Sequence, residues 1–158
     1  MRLTSILCLL ALLIPDCAFA QGAVRKCFTR PERQAEQMVR EGLRLREGAA
    51  GCDRPPFYAQ TWPLWEDINR TFGQRFAQQT QVRQRAFQRE FGKTTENRLM
   101  MWDGRIVTYY RNYPLSPLYC SSLHDMLQSM QRKGWTVFTK WAKASADEVE
   151  MDYEPCEK

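Results

Sequence analysis

Residues 31–51 read PERQAEQMVREGLRLREGAAG, and this stretch sets the class of the fold. Ala35, Met38, Val39, Gly42, Leu45 and Ala49 recur at steps of three and four, the period of one helix face. Pro31 suits a first helical turn, where its missing N–H costs nothing, and Gly51 suits a stop. The Pro55-Pro56 pair that follows requires a loop.

Three further helical patterns come after that loop. Thr61 and Pro63 open the second, which carries Trp65, Ile68, Phe72, Phe76, Phe87 and Phe91 on one side and the polar run AQQTQVRQR at 77–85 between them. A turn at Gly92–Thr95 introduces the third, with Leu99, Trp102, Ile106, Tyr109 and Tyr113 on a stripe that Pro114 ends. Ser116 and Pro117 start the fourth, whose heptad spacing (Leu123, Met130, Val137; Leu127, Gly134, Trp141) predicts one long helix to about Ser145. Four amphipathic helices with short connections predict an all-α, up-down-up-down four-helix bundle.

The segment LTSILCLLALLI at 3–14 is too short to span a bilayer, and Ala18-Phe19-Ala20 supplies a small-x-small cleavage pattern. Residues 1–20 are therefore expected to be a signal peptide and 21–158 a single helical domain with an acidic tail at 147–158. No transmembrane segment is expected after cleavage, and the destination is periplasmic or secreted. Export leaves Cys27, Cys52, Cys120 and Cys156, an even number in an oxidising compartment, hence two disulfides. The first helix separates Cys27 from Cys52 by much more than the roughly 7 Å between Cα atoms that a disulfide tolerates. The up-down order instead predicts Cys52–Cys120 and Cys27–Cys156.

Residues 21–158 hold 22 basic and 17 acidic side chains, but the tail takes six of the acids and one lysine, leaving a body of about +10. Arg70, Arg75, Arg83, Arg85, Arg89 and Lys93 crowd the second helix. Such a surface attracts an anionic envelope component or an acidic protein through salt-sensitive steering. Nucleic acid is not an expected partner, since no binding motif is present and the chain is exported.

One position breaks the apolar stripe of the second helix. Arg83 projects along the line of Trp65, with Gln79 and Thr80 nearby. A charge there needs a partner, and pairing the helices about Lys93 brings Asp103 and Trp102 level with it as carboxylate and cation–π face. His124, the one histidine, is expected within about a turn of the same level. This layer is either an ion pair that fixes register or a small pocket for an anion. A b-type haem on His124 and Met38, Met100 or Met126 is a further alternative to the expectation of no cofactor.

Catalysis finds no support in the pattern. A lone histidine without a glycine-rich nucleophile turn makes no hydrolytic triad, and Glu66-Asp67 point about 100° apart on a helix. In size, signal segment, helicity and Arg, Gln and Met content, the chain resembles small periplasmic helical proteins of bacteria, including basic envelope-stress chaperones. The Leu-Thr-x-x-Gln repeats of those chaperones are absent, so the resemblance assigns no residue. The expectation is a non-enzymatic, disulfide-stapled binding protein with a basic surface (Arg75, Arg85, Arg89) for an anionic or protein partner. A small-ligand or haem carrier and a chaperone-like holdase are the alternatives.

Overall fold

The structure, a computed structural model, describes residues 26–156, so the expected signal peptide, Gln21–Arg25 and the last two residues lie outside it. The elements run β1 (Cys27–Phe28), α1 (Arg30–Cys52), α2 (Thr61–Phe91), α3 (Thr95–Arg111), α4 (Pro117–Lys133), α5 (Trp135–Ala142), α6 (Ala146–Asp152) and β2 (Glu154–Pro155). Short 3-10 turns join α2 to α3 and α5 to α6. Apart from the two short strands, the architecture is an all-α bundle stapled by Cys52–Cys120 and Cys27–Cys156, with Cα separations of 5.3 and 4.8 Å. Among the described residues, no helix is long and apolar enough to cross a membrane.

The chain enters α1 through Thr29, whose N–H donates to Glu32 Oε2 at 2.7 Å, and Pro31 sits in the first turn. This helix is the hub of the molecule, because α2, α3, α4, α5 and α6 all pack on it. Encirclement buries its charged side chains as well as its apolar ones: Glu36, Arg40, Glu41 and Glu47 are buried beside Ala35, Leu45 and Ala49. The 31–51 period marked only one of the two faces that end up covered. Close approach by α4 depends on Gly48, where an added Cβ would lie 2.8 Å from the Tyr119 hydroxyl and 3.0 Å from Leu123 Cδ2.

The fourth helix departs from expectation. It stops at Gly134, which adopts φ 77° and ψ −165°, conformational space that glycine enters without a Cβ clash. The break lets α5 set off in a new direction and brings Trp135 and Phe138 edge-on to Phe76 at 5.0 and 5.1 Å between ring centroids. The acidic tail, tethered through Cys27–Cys156 as expected, has structure of its own. Residues 146–152 form α6 on α1, and β2 pairs in parallel with β1, with Glu154 and Cys156 N–H groups donating to the Lys26 and Phe28 carbonyls at 3.2 and 3.1 Å.

Two apolar clusters result. One gathers Leu45, Ile68, Leu123, Leu127, Met130 and Phe138 around the Cys52–Cys120 bridge. The other gathers Phe28, Ala86, Phe87, Val149 and Tyr153 beside the Cys27–Cys156 bridge, with Phe28 stacked on Tyr153 at 3.9 Å. Arg83 lies on α2 between Phe76 of the first cluster and Phe87 of the second.

Candidate functional site

The Arg83 layer assembles from three helices. Arg83 is 1% exposed and donates through Nη2 to Asp103 Oδ1 from α3. Its Nε lies 3.3 Å from Glu36 Oε2 of α1. Glu36, also fully buried, accepts from Arg40 Nε at 2.9 Å and from Trp102 Nε1 at 3.0 Å. Arg40 then reaches Asp152 of α6 at 2.6 Å. Burial works against the Arg40 charge, but Glu36 and Asp152 outweigh it and hold the guanidinium above its ordinary value. Arg83 and Asp103 thus come together, while the carboxylate at the centre is Glu36, through which Trp102 joins the layer. The cation–π pairing differs too: Arg83 lies over Phe87 at 5.6 Å, and Trp102 carries Arg40 at 5.5 Å and Arg105 at 3.9 Å.

The other expected members of this layer are elsewhere. His124 lines a hollow with Pro56, Phe57, Pro117 and Cys120, beside the Cys52–Cys120 bridge, and stands 3.7 Å from Asp125. The break at Gly134 does not cause this; α4 simply presents position 124 to the loop after α1, because Cys120 one turn earlier is fixed to Cys52. Gln79 and Thr80 line an α1–α2 crevice with Met38 and Trp65. The methionines considered for haem are dispersed: Met38 in that crevice, Met126 in a different cleft, Met100 exposed at 69%. None of these shares the His124 hollow, so the residues do not fit an axial pair.

Cations on α2 are largely spoken for. Arg70 pairs with Asp67 at 3.2 Å. Arg89 is tied to Glu32, to Glu90 at 2.8 Å and to the Cys27 carbonyl at 2.9 Å. Arg75 lies over the Trp135 ring at 5.8 Å, and Arg85 and Lys93 are exposed without an ion pair among the described residues. Three of the four acids of α6 go to arginines of other helices: Glu150 to Arg33, Glu148 and Asp152 to Arg40, and Asp152 to Arg105.

A further concavity is lined by α3, α5 and α6. Two hollows of about 390 and about 330 Å³ share Tyr109, Tyr110 and Glu148 and so form one cleft, with α1 as its floor. Tyr110, Tyr109, Tyr113 and Tyr119 follow one another along it, with successive ring centroids 5.1, 6.3 and 5.6 Å apart. Ile106, Met126, Trp141 and Met151 add apolar wall. Tyr109, Tyr113 and Met151 remain 59%, 42% and 67% exposed. The charges at the base cancel: Arg40, Arg44 and Arg105 against Glu41, Glu148 and Asp152. Arg44 donates from both Nε (2.9 Å) and Nη2 (2.5 Å) to Glu41. Burial, followed by the Glu148 and Glu41 charges, pushes the Tyr110 hydroxyl up to about 12, so it stays a donor at neutral pH.

Sequence reasoning placed Tyr109 and Tyr113 on a core stripe and missed the cleft. The Tyr109-Tyr110 doublet was the one local sign, since adjacent helical positions cannot both face a single core. In the loop after α1, Phe57 and Ala59 pack on the larger cluster, as does Trp62 at the start of α2, while Tyr58 is 66% exposed. Comparison with known proteins brings no match: no family model, no curated protein and no solved structure is similar to this chain.

Proposed function

We propose that this is an exported, non-enzymatic binding protein that seats a polypeptide segment of a protein partner in the tyrosine-lined cleft. The carrying observation is the run of four tyrosines in a neutral, open seam between α3 and α6. Tyrosine, tryptophan, methionine and arginine are the residue types enriched at protein contacts, where a rigid ring gives large contact area with few rotamers to freeze. Binding is favoured over catalysis because the carboxylate oxygens of Glu41 and Asp152 are already taken up by arginine hydrogen bonds. Export is supported by the two disulfides, which persist in oxidising compartments. An anionic partner on α2 would have to rely on Arg75, Arg85 and Lys93.

Selection of peptides from a random display library on the immobilised protein tests the reading. The expected peptides lose about 2 kcal/mol, roughly thirtyfold in Kd, on Tyr109→Ala or Tyr113→Ala. They keep their affinity for Arg85→Ser and in about 0.5 M salt, where surface charge is screened. Peptides that ignore both tyrosines and dissociate in salt would move the partner to α2. Binding through the tyrosines by peptides of unrelated sequence would identify a holdase.

A further inference from the structure

A second concavity, of about 470 Å³, opens at the end of the bundle where α1 and α3 finish and α2 begins. Arg46 and Glu47 of α1, Arg54 of the following loop, Trp62 of α2 and Arg111 of α3 line it. Glu47 is the one carboxylate among these residues, and both of its oxygens are engaged. Oε1 accepts from Arg46 Nε and Nη2 at 3.0 and 2.6 Å, and Oε2 accepts from Arg111 Nε at 3.1 Å. Burial alone would raise the Glu47 carboxyl, yet the Arg46 and Arg111 hydrogen bonds prevail and hold it below its usual value. It is therefore ionised at neutral pH and cancels one of three arginines. Two positive charges remain, in contrast to the balanced tyrosine cleft. Arg54 enters no ion pair among the described residues, and the terminal nitrogens of Arg111 donate to no side chain there.

We propose that this cleft binds a phosphate group. A phosphate monoester carries about −1.5 to −2 at pH 7, which matches the uncompensated charge, and its oxygens accept from the planar fork of a guanidinium in pairs. The volume exceeds what phosphate alone fills, and Trp62 provides an apolar wall for the body of the molecule bearing it. The inference is independent of the tyrosine cleft, with which this site shares none of its lining residues.

Calorimetric titration of the mature protein with inorganic phosphate, alongside flotation of vesicles of phosphatidylcholine with and without phosphatidic acid, tests the site. Arg54→Ser is the informative variant, because that side chain is exposed and holds no ion pair among the described residues. Saturable phosphate binding that weakens about tenfold in Arg54→Ser and less than about twofold in Arg85→Ser supports the site. Binding that strengthens as pH rises through the second ionisation of inorganic phosphate, near neutral pH, supports it further. Phosphatidic-acid-dependent flotation lost in Arg54→Ser assigns the phosphate to a lipid; free phosphate binding without flotation assigns it to a soluble molecule. Titrations that never saturate, or that are unchanged by Arg54→Ser, overturn the proposal, as does flotation that depends on Arg85 instead of Arg54.

Discussion

The two ends of the molecule are each closed by a disulfide, but the bonds do different jobs. Cys52 and Cys120 are 0% and 1% exposed and sit inside an apolar cluster drawn from α1, α2, α4 and α5. Cys27 and Cys156 are half-buried and join the two edges of the described chain, whose local elements are a two-residue strand pair and a seven-residue helix. Helices so short have little stability of their own, since nucleation is not recovered over one or two turns. At one end the disulfide is embedded in a core already made by long helices. At the other, the disulfide and Phe28, Phe87, Val149 and Tyr153 are much of what holds the segment down. Position in a core decides whether a cross-link stabilises the whole molecule or one strap of it.

Breaking the bonds one at a time separates these roles. Cys52→Ala with Cys120→Ala is expected to cost about 4 kcal/mol and to lower the melting temperature of the entire chain. Cys27→Ala with Cys156→Ala is expected to release α6 and the strand pair, with amide exchange accelerating there and protection kept in α1, α2 and α4. Global unfolding of the second variant would show that the ends are not separable.

The charged layer between the ends comes next in size. Glu36→Leu leaves Arg40 with Asp152 and Arg83 with Asp103 but removes the carboxylate between them, at an expected cost of about 3 kcal/mol. In denaturant titrations, Arg83→Leu combined with Glu36→Leu should cost less than the two singles summed, because neither residue is then left facing an empty partner. Additive losses would mean that Glu36 acts through Arg40 and Trp102 alone. The smallest effect expected is at Tyr153, whose buried hydroxyl has no hydrogen-bond partner among the described residues. Tyr153→Phe should be neutral or stabilise by up to about 1 kcal/mol, since it removes a desolvated polar atom and keeps the stacked ring. A clear loss by thermal melting would reveal a partner for that hydroxyl and a less dry end.

How legible all this is from the chain depends on the range of the contacts. The disulfide partners follow from helix order and length, and Arg83 with Asp103 follows from counting turns about Lys93, because both arguments run along neighbouring helices. Glu36 escapes the count because its burial depends on α1 being enclosed by helices that arrive much later, as the Arg40–Asp152 bond across 112 residues illustrates. Periodicity marks a face as apolar; it does not mark a charged face that other charges cover. Turn counts carried across two connections put His124 level with Arg83, whereas α4, bonded to Cys52 through Cys120, places it against the loop after α1. Gly134 continues the heptad pattern but, having no Cβ, is free to leave it.

The hub position of α1 also bears on the order in which the bonds can form. Of the four bridged cysteines, a chain made from its amino terminus presents Cys27 and Cys52 first, and oxidation in order of appearance would join those two. Once α1 has formed, its 23 residues hold the two thiols about 35 Å apart, and the wrong bond is out of reach. Cys27 then pairs with Cys156, at a sequence separation of 129, once every helix of the described chain has been made. On that order α1 itself excludes the wrong pair, and the bond beside Phe28 closes after the Cys52–Cys120 bond has become possible.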